Sequence, residues 1–364
     1  MTTATACPTE LTADSSHPFI TIYMPAEGTA PTSLPSILQA NRPYFVEQIA
    51  RRGVLLFRGF APSNATTFHE LVTDGMGLQP WNSFNTNNMP AFMASLMRKY
   101  SEGLLGAGDY RRYLDKNTVQ LGPVEQSIQG PHVEGGVRAE RSRYLVLCCF
   151  EPAPYLAETG MVDLHEVYQH LPAQSQQKYQ RARNRFYYIS ARKVNMIDRM
   201  MLKNSPLTVI QRPDGYAHLA LEPCPLVCAV PETGDLCLQP WAFAKNTNRI
   251  SYESAKATFE GRGDIKPDST ADGMNLTWEL CDDQGQSIDW SEAEQRAMFD
   301  EIFKRAFLMN WQKGDVAFVD NIRIGHWRMN GEQGNRKLVQ IQAEPFDANQ
   351  HAATLVSGKQ PQVA

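Results

Sequence analysis

Apolar residues recur three and four positions apart between Ile37 and Arg52, where Ile37, Leu38, Tyr44, Phe45 and Ile49 make one stripe. That spacing predicts a helix, and Gly53 stands just past its end. The unbroken run Val54–Phe57 (VLLF) predicts a buried strand. Ser63 or Asn64 is placed to cap a second helix with Phe68, Leu71, Val72 and Met76 on one face, ended by Gly77. Short strands are expected at Phe19–Tyr23, Arg143–Phe150, Phe186–Ser190, Leu207–Gln211, Leu236–Gln239, Leu276–Cys281, Val316–Val319 and Lys337–Gln342. Ser291 and Glu294 form a capping-box pattern before a helix bearing Ala297, Met298, Ile302 and Phe303.

Helices lead and strands follow without regular alternation, which excludes a doubly wound parallel sheet. A closed or two-sheet β architecture with helices packed outside is expected. Residues 1–35, rich in Thr, Ala, Pro and Ser, are expected as a loose arm, 36–348 as one domain, and 349–364 as a polar tail. Within the domain, residues 191–273 are weakly periodic and rich in Pro, Asn and Gly. They are expected as an insertion that includes a mobile lid.

Composition narrows the partners. The 364 residues are 42% hydrophobic and 20% charged, so the chain is globular. The net charge of −4, from 35 basic and 39 acidic residues without a long run of one sign, does not suggest a nucleic-acid surface. The longest apolar stretch, Tyr144–Phe150, has seven residues, whereas a membrane helix needs about 20. The first residues show neither a basic start nor an apolar core of a secretory signal. Seven scattered cysteines without a CxxC read as buried thiols of a reduced, cytoplasmic chain; Cys224 and Cys228 of CPLVC belong with them.

Candidate chemistry starts at Gly130-Pro131-His132-Val133-Glu134. In extended backbone His132 and Glu134 project to one side and can share a metal ion. With 8 His and 39 acidic residues, about one such triplet arises by chance, so it is weak alone. A second feature, Gly314–Arg328 (GDVAFVDNIRIGHWR), carries His326, and Arg336 follows ten residues later at the start of an apolar strand. An always-charged Arg buried near a metal implies an anion partner, and its fork suits a carboxylate. Two His and one carboxylate are the facial triad of non-haem Fe(II) oxygenases.

The segments GVLLFRGF (Gly53–Phe60), HVE (His132–Glu134), ETGMVD (Glu158–Asp163), GDVAFVDNIRIGHWR and Arg336 stand in an order that resembles the TauD/TfdA-like superfamily. Its members are Fe(II)- and 2-oxoglutarate-dependent dioxygenases. Glu in place of Asp in the first motif resembles the clavaminate-synthase-like branch, and DNxRxxH-x-R resembles syringomycin-hydroxylase-like members tied to peptide antibiotic pathways. The resemblance spans roughly residues 40–345. It implies a double-stranded β-helix (jelly roll) of the α+β class with flanking helices. It implies His132, Glu134 and His326 as iron ligands. It implies Arg336 and Thr159 as partners of the distal carboxylate of 2-oxoglutarate, with O2 as oxidant. It also implies an amino-acid-like substrate, free or tethered to a carrier protein, and hydroxylation of an unactivated C–H bond.

Two positions depart from the family's pattern. Trp327 replaces a common Gly, which predicts a bulkier wall beside His326. Gln340 stands where taurine-type members place a second Arg, which argues against a sulfonate substrate. The triad's Glu argues against halogenation.

Other polar residues carry weaker expectations. Gln129 and Arg328 are candidate substrate contacts. Arg323 is expected to brace a turn, and His218 to be structural. Gln126 approaches the site on the same segment as Gln129, and the Asn-rich stretch Asn82–Asn88 reads as a polar loop. His165 and His170, five apart, do not share a helix face and are not expected to bind metal. The expected function is an oxygenase. Desaturation, cyclisation or epoxidation are alternatives within the same chemistry. A non-oxidative metal enzyme on a jelly roll, or a noncatalytic binding module, are alternatives outside it.

Overall fold

The computed structural model describes residues 6–356 apart from 61, 63, 82–99, 101–103, 105–111, 116, 123–127, 204–206, 212, 244–247, 261 and 263–275. Strand alternation decides its layers. Along Glu140–Glu151, Val146 and Cys148 face one side while Leu145 and Leu147 face the other. This strand pairs with Val316–Asp320 on one edge and with Lys337–Asp347 on the other. They lie in the middle of an eight-stranded sheet that continues through Val54–Phe57, Ile20–Pro25 and Leu11–Asp14 at one end. Val119–Gln120 and Arg112–Tyr113 close the other end.

A three-stranded sheet, Phe307–Met309, Thr159–Asp163 and Ile324–Arg328, faces it. Leu145, Leu147, Ala317 and Val319 of the large sheet meet Met161, Ile324 and Met309 of the small one in a single buried cluster. This is the interior of a double-stranded β-helix. On the outer face of the large sheet, Phe45, Ile49, Phe68 and Val72 from the leading helices cover Phe57, Val146, Phe318 and Ile341. On the outer face of the small sheet, Val162 and Trp327 pack with Phe299, Ile302 and Phe303 of the helix Glu292–Lys304. Ser291 and Glu294 form the expected reciprocal cap of that helix.

Several expected elements change shape. The helix expected over 37–52 is two, Leu34–Ala40 and Arg42–Arg52, because Pro43 cannot continue a hydrogen-bonded turn and instead sits in the first turn of the second. Asn64 caps the next helix, Ala65–Glu70, which runs on as a wider turn over Leu71–Gly75. The strand expected at Phe19–Tyr23 is present as Ile20–Pro25, but the arm around it is not loose: Ile20–Tyr23 pairs in parallel with Val54–Phe57, Leu11–Asp14 adds a further strand, and Ile20 and Tyr23 are fully buried. The tail expected from Asn349 begins packed, with Ala352 and Ala353 buried.

The expected insertion is likewise half core. Thr208–Gln211 and Ala217–Ala220 extend a second sheet built on Arg183–Ile189, which also pairs with Cys224–Pro225 and Leu276–Cys281. The hairpin Val227–Ala229/Leu236–Leu238 is buried in the main body. Its residues 263–273, with the Asn82–Asn88 stretch and Gln126, lie outside the described residues.

All seven cysteines are unbridged and six are buried. Burial pushes the Cys149 and Cys228 thiols up to about 12, so both stay protonated and inert.

Trp327 does not wall the side of the strand that His326 faces. It alternates with His326 on one strand, so it points to the opposite face, over Gly160 and against Phe303. A Cβ on Gly160 would lie 2.1 Å from the Trp327 ring. Gly160→Ala is therefore expected to destabilise the fold by about 1–3 kcal/mol through overpacking, read as a lower urea midpoint at unchanged slope.

Candidate active site

His132 and His326 come from segments 194 residues apart and are direct backbone partners. The His132 N–H donates to the His326 carbonyl at 3.0 Å, and the His326 N–H donates to the His132 carbonyl at 2.9 Å. Their rings stand side by side with centroids 4.5 Å apart. Oε2 of Glu134 lies 3.9 Å from Nε2 of His326. One donor atom from each of the three residues lies within 4.8 Å of the others, and all three are buried. Among the described residues no fourth His, Cys, Asp or Glu joins them.

The surroundings orient these donors. Nδ1 of His132 is 3.0 Å from the Gly130 carbonyl, so this nitrogen carries the proton and Nε2 keeps its lone pair. That contact needs a close backbone crossing: a Cβ on Gly130 would fall 1.8 Å from the Ala242 carbonyl oxygen. Oε1 of Glu134 accepts from Nε2 of Gln342 at 2.9 Å, leaving Oε2 toward His326. Phe243 and Trp241 flank His132 with ring centroids 5.1 and 6.4 Å away. Two imidazoles and one carboxylate on one side, with the remaining positions open, fit a divalent iron ion.

Asn321 ties the segment of Glu134 to the turn that leads into the strand of His326. Its Oδ1 accepts from the Glu134 N–H at 2.7 Å, and its Nδ2 donates to the carbonyls of Glu134 at 2.9 Å and Ser142 at 2.8 Å. The turn that presents it is held by Asp320, whose carboxylate accepts from the N–H groups of Ile322 and Arg323 and pairs with Arg143. Asn321→Ala would strand three buried backbone groups and is expected to cost about 3 kcal/mol, measurable by urea unfolding. It should also weaken metal binding, because Glu134 loses its fixed backbone.

A second cluster sits at one end of the small sheet. Thr159 is the cross-strand partner of Arg328. The Thr159 hydroxyl oxygen accepts from the Trp311 indole N–H at 2.8 Å. Arg336 is buried in a cleft of about 240 Å³ lined also by Cys149, Tyr155, Ala157, Trp311 and Leu338. Its guanidinium donates to the Gly122 carbonyl at 3.2 Å and meets no carboxylate among the described residues. Burial first, and then the neighbouring Arg328, push Arg336 down to about 10. A buried guanidinium that feels a second positive charge nearby is a candidate anion site. Gln340 pairs with Leu147 and is buried, and its amide nitrogen has no partner among the described residues.

The structure thus brings His132, Glu134 and His326 into one group, and Thr159, Arg328 and Arg336 into another. Arg328 stands beside Arg336. Gln129 donates its N–H to the Arg328 carbonyl at 3.0 Å and borders a shallow cleft with Asn248, Ser251 and Tyr252. Arg323 pairs with Asp163 and Asp235 and braces the turn, as expected. His165 bonds the Leu236 carbonyl, His170 the Glu166 carbonyl, and His218 packs on Tyr187.

Sequence reasoning missed Asn321, Gln342 and Trp311. Asn321 sits inside the phrase that carries His326. Gln342 lies six residues beyond Arg336, and counting by two along that strand would have turned both inward.

The sequence pattern of the family described as "Taurine catabolism dioxygenase TauD, TfdA family" matches residues 20–225, more than half of the chain. The match contains His132, Glu134 and Thr159 and ends before His326 and Arg336. A search of curated protein sequences gives no significant match. Among solved structures, the PvcB protein from Pseudomonas aeruginosa superimposes with a TM-score of 0.54 at 11% identity, over 96% of this chain and 98% of that one. A second PvcB structure, described as an Fe, alpha-ketoglutarate dependent oxygenase from an isonitrile synthetic pathway, gives 0.52 at 12%, over 96% and 98%. A Burkholderia xenovorans protein provisionally described as an alpha-ketoglutarate-dependent taurine dioxygenase gives 0.51 at 15%, over 93% and 95%. At these identities the likeness is one of fold.

Proposed function

The chain belongs to the TauD/TfdA dioxygenase family, and from that premise we propose that it is an Fe(II)- and 2-oxoglutarate-dependent oxygenase in which His132, Glu134 and His326 hold the iron. The observation that carries this reading is three buried donor atoms within 4.8 Å of one another in the same β-helix as an arginine that lacks a carboxylate partner among the described residues. Iron, when bound, supplies the open positions at which a 2-oxo acid chelates and O2 is activated. The protein's part is to hold, orient and shield. The Gly130 carbonyl and Gln342 fix the donor atoms of His132 and Glu134. Arg336, with Thr159, receives the far carboxylate of 2-oxoglutarate, and Arg328, across the strand pair from Thr159, is a candidate substrate contact. Phe243 and Trp241 keep water from the His132 side. The net change is R–H, O2 and 2-oxoglutarate to R–OH, CO2 and succinate.

The substrate we propose is small and amino-acid-like, free or carried on a protein, in specialised metabolism, with Gln129 on its path. The uncharged Gln340, in place of an arginine, favours a substrate without a sulfonate. We also propose a mobile lid within residues 191–273; on the outward side of that stretch Met196, Ile197 and Met200 are exposed on the helix Met196–Leu202. No helix among the described residues is long and apolar enough to cross a membrane. The test is a screen of free amino acids and aminoacyl carrier proteins for substrate-dependent succinate release with Fe(II), 2-oxoglutarate and air. Succinate released with one member supports the reading. A metal-dependent conversion that consumes no 2-oxoglutarate overturns it.

A further inference from the structure

Trp311 touches neither the metal ligands nor Arg336 by a hydrogen bond, yet it lines the Arg336 cleft and makes a directed contact there. Its indole N–H can only donate, and it donates to the Thr159 hydroxyl oxygen at 2.8 Å. A hydroxyl has one proton and two acceptor positions. With an acceptor position filled by Trp311, the Thr159 proton must be directed elsewhere, and among the described residues no acceptor receives it. Thr159 is buried, so water does not freely take that role. Its strand places it opposite Arg328, and its donor Trp311 lines the cleft that holds Arg336, where an anion is the complementary ligand.

We infer that Trp311 is a positioning residue that sets the Thr159 hydroxyl as a donor toward the far carboxylate of the 2-oxo dicarboxylate. Without the indole the hydroxyl would rotate freely and present a lone pair to the anion part of the time. With it, the O–H is both aimed and polarised, since a hydroxyl that accepts a hydrogen bond donates more strongly. Trp311 thereby contributes to the choice of a dicarboxylate over a 2-oxo monoacid. This inference rests on Arg336 and Thr159 being the carboxylate's partners.

The test is a double-mutant cycle read by calorimetry on the Mn(II)-loaded protein without oxygen, so that binding is measured apart from turnover. Trp311→Phe removes the N–H and keeps an aromatic ring; Thr159→Val removes the hydroxyl and keeps the shape. Thr159→Val, which removes a hydrogen bond to a charged group, is expected to weaken 2-oxoglutarate about 10-fold or more, and Trp311→Phe, which leaves the hydroxyl but frees its rotation, about 5-fold. The double variant should bind no more weakly than Thr159→Val alone. Pyruvate, which has the same oxo-acid end and no far carboxylate, should bind Trp311→Phe as it binds the parent.

Additive losses in the cycle, or an equal loss for pyruvate, would overturn the inference and reduce Trp311 to packing. Arg336→Ala separates the two levels. If it leaves 2-oxoglutarate binding unchanged, the carboxylate reading itself fails; if it weakens binding while the cycle is additive, only the role of Trp311 fails. Should Trp311→Phe not fold, benzothienylalanine at position 311 replaces the N–H by sulfur within the same ring outline and carries the same expectations.

Discussion

Glu134→Ala should abolish substrate-dependent succinate release and weaken metal binding by at least about 100-fold, the upper end of what losing even an outer partner of a ligand costs. His326→Ala should do the same, since the two side chains face each other at 3.9 Å. Neither change should unfold the protein. The backbone pair between His132 and His326 and the Asn321 clamp on Glu134 use main-chain atoms, which both variants keep. Anaerobic Fe(II) titration with circular dichroism as the folding control is the measurement. A folded Glu134→Ala protein that retains most of its metal affinity and turnover would remove Glu134 from the ligand set.

Arg336→Ala should act on the cosubstrate and spare the primary substrate. Removing one member of a buried charged hydrogen-bond pair costs about 2–5 kcal/mol, so 2-oxoglutarate affinity should fall about 30-fold or more. The requirement for the primary substrate should move little. Stability offers a second readout of opposite sign. Arg336 is buried, and its guanidinium is held below its ordinary range by burial and by Arg328. At pH 7 it is charged both folded and unfolded, so its burial opposes folding. In the absence of 2-oxoglutarate the urea midpoint of Arg336→Ala should therefore hold or rise. A structural arginine would show the reverse: a lower midpoint and an unchanged dependence on 2-oxoglutarate.

Much of the site was legible because metal chemistry restricts residue types. A His two residues before a Glu, a distal His in a glycine-flanked strand and a lone Arg at a strand start are visible in one dimension. The supporting residues were not, because Asn321 and Gln342 are ordinary polar residues until folding places them on Glu134. Trp327 shows the value of parity. Its size suggested a wall beside His326, but adjacent residues of a strand face opposite layers, and Trp327 belongs to the outer core.

The fold was legible where burial is strong and one-sided. Val54–Phe57 and Leu276–Cys281 fall where the sequence places them. The leading helix split at Asn41 because the position of Pro43 outweighed a continuous apolar stripe. The strand expected at Phe19–Tyr23 is present, but Leu11–Asp14 and the packing of this arm escaped notice, because a Thr-, Ala- and Pro-rich composition says nothing of a parallel partner 34 residues away. That pairing is a tertiary fact, and no local pattern encodes it.

The mutual backbone bridge between His132 and His326 also bears on how the chain reaches this state. Joining two points 194 residues apart closes a long loop, and such contacts are late and entropically expensive to form. The donor set therefore does not exist in any fragment that lacks the closing strands Val316–Asp320 and Ile324–Arg328. Acquisition of high-affinity Fe(II) binding during refolding should be among the last events to appear, after the helical signal has recovered. Bound metal, for its part, should slow unfolding by latching together two segments that lie 194 residues apart in the chain.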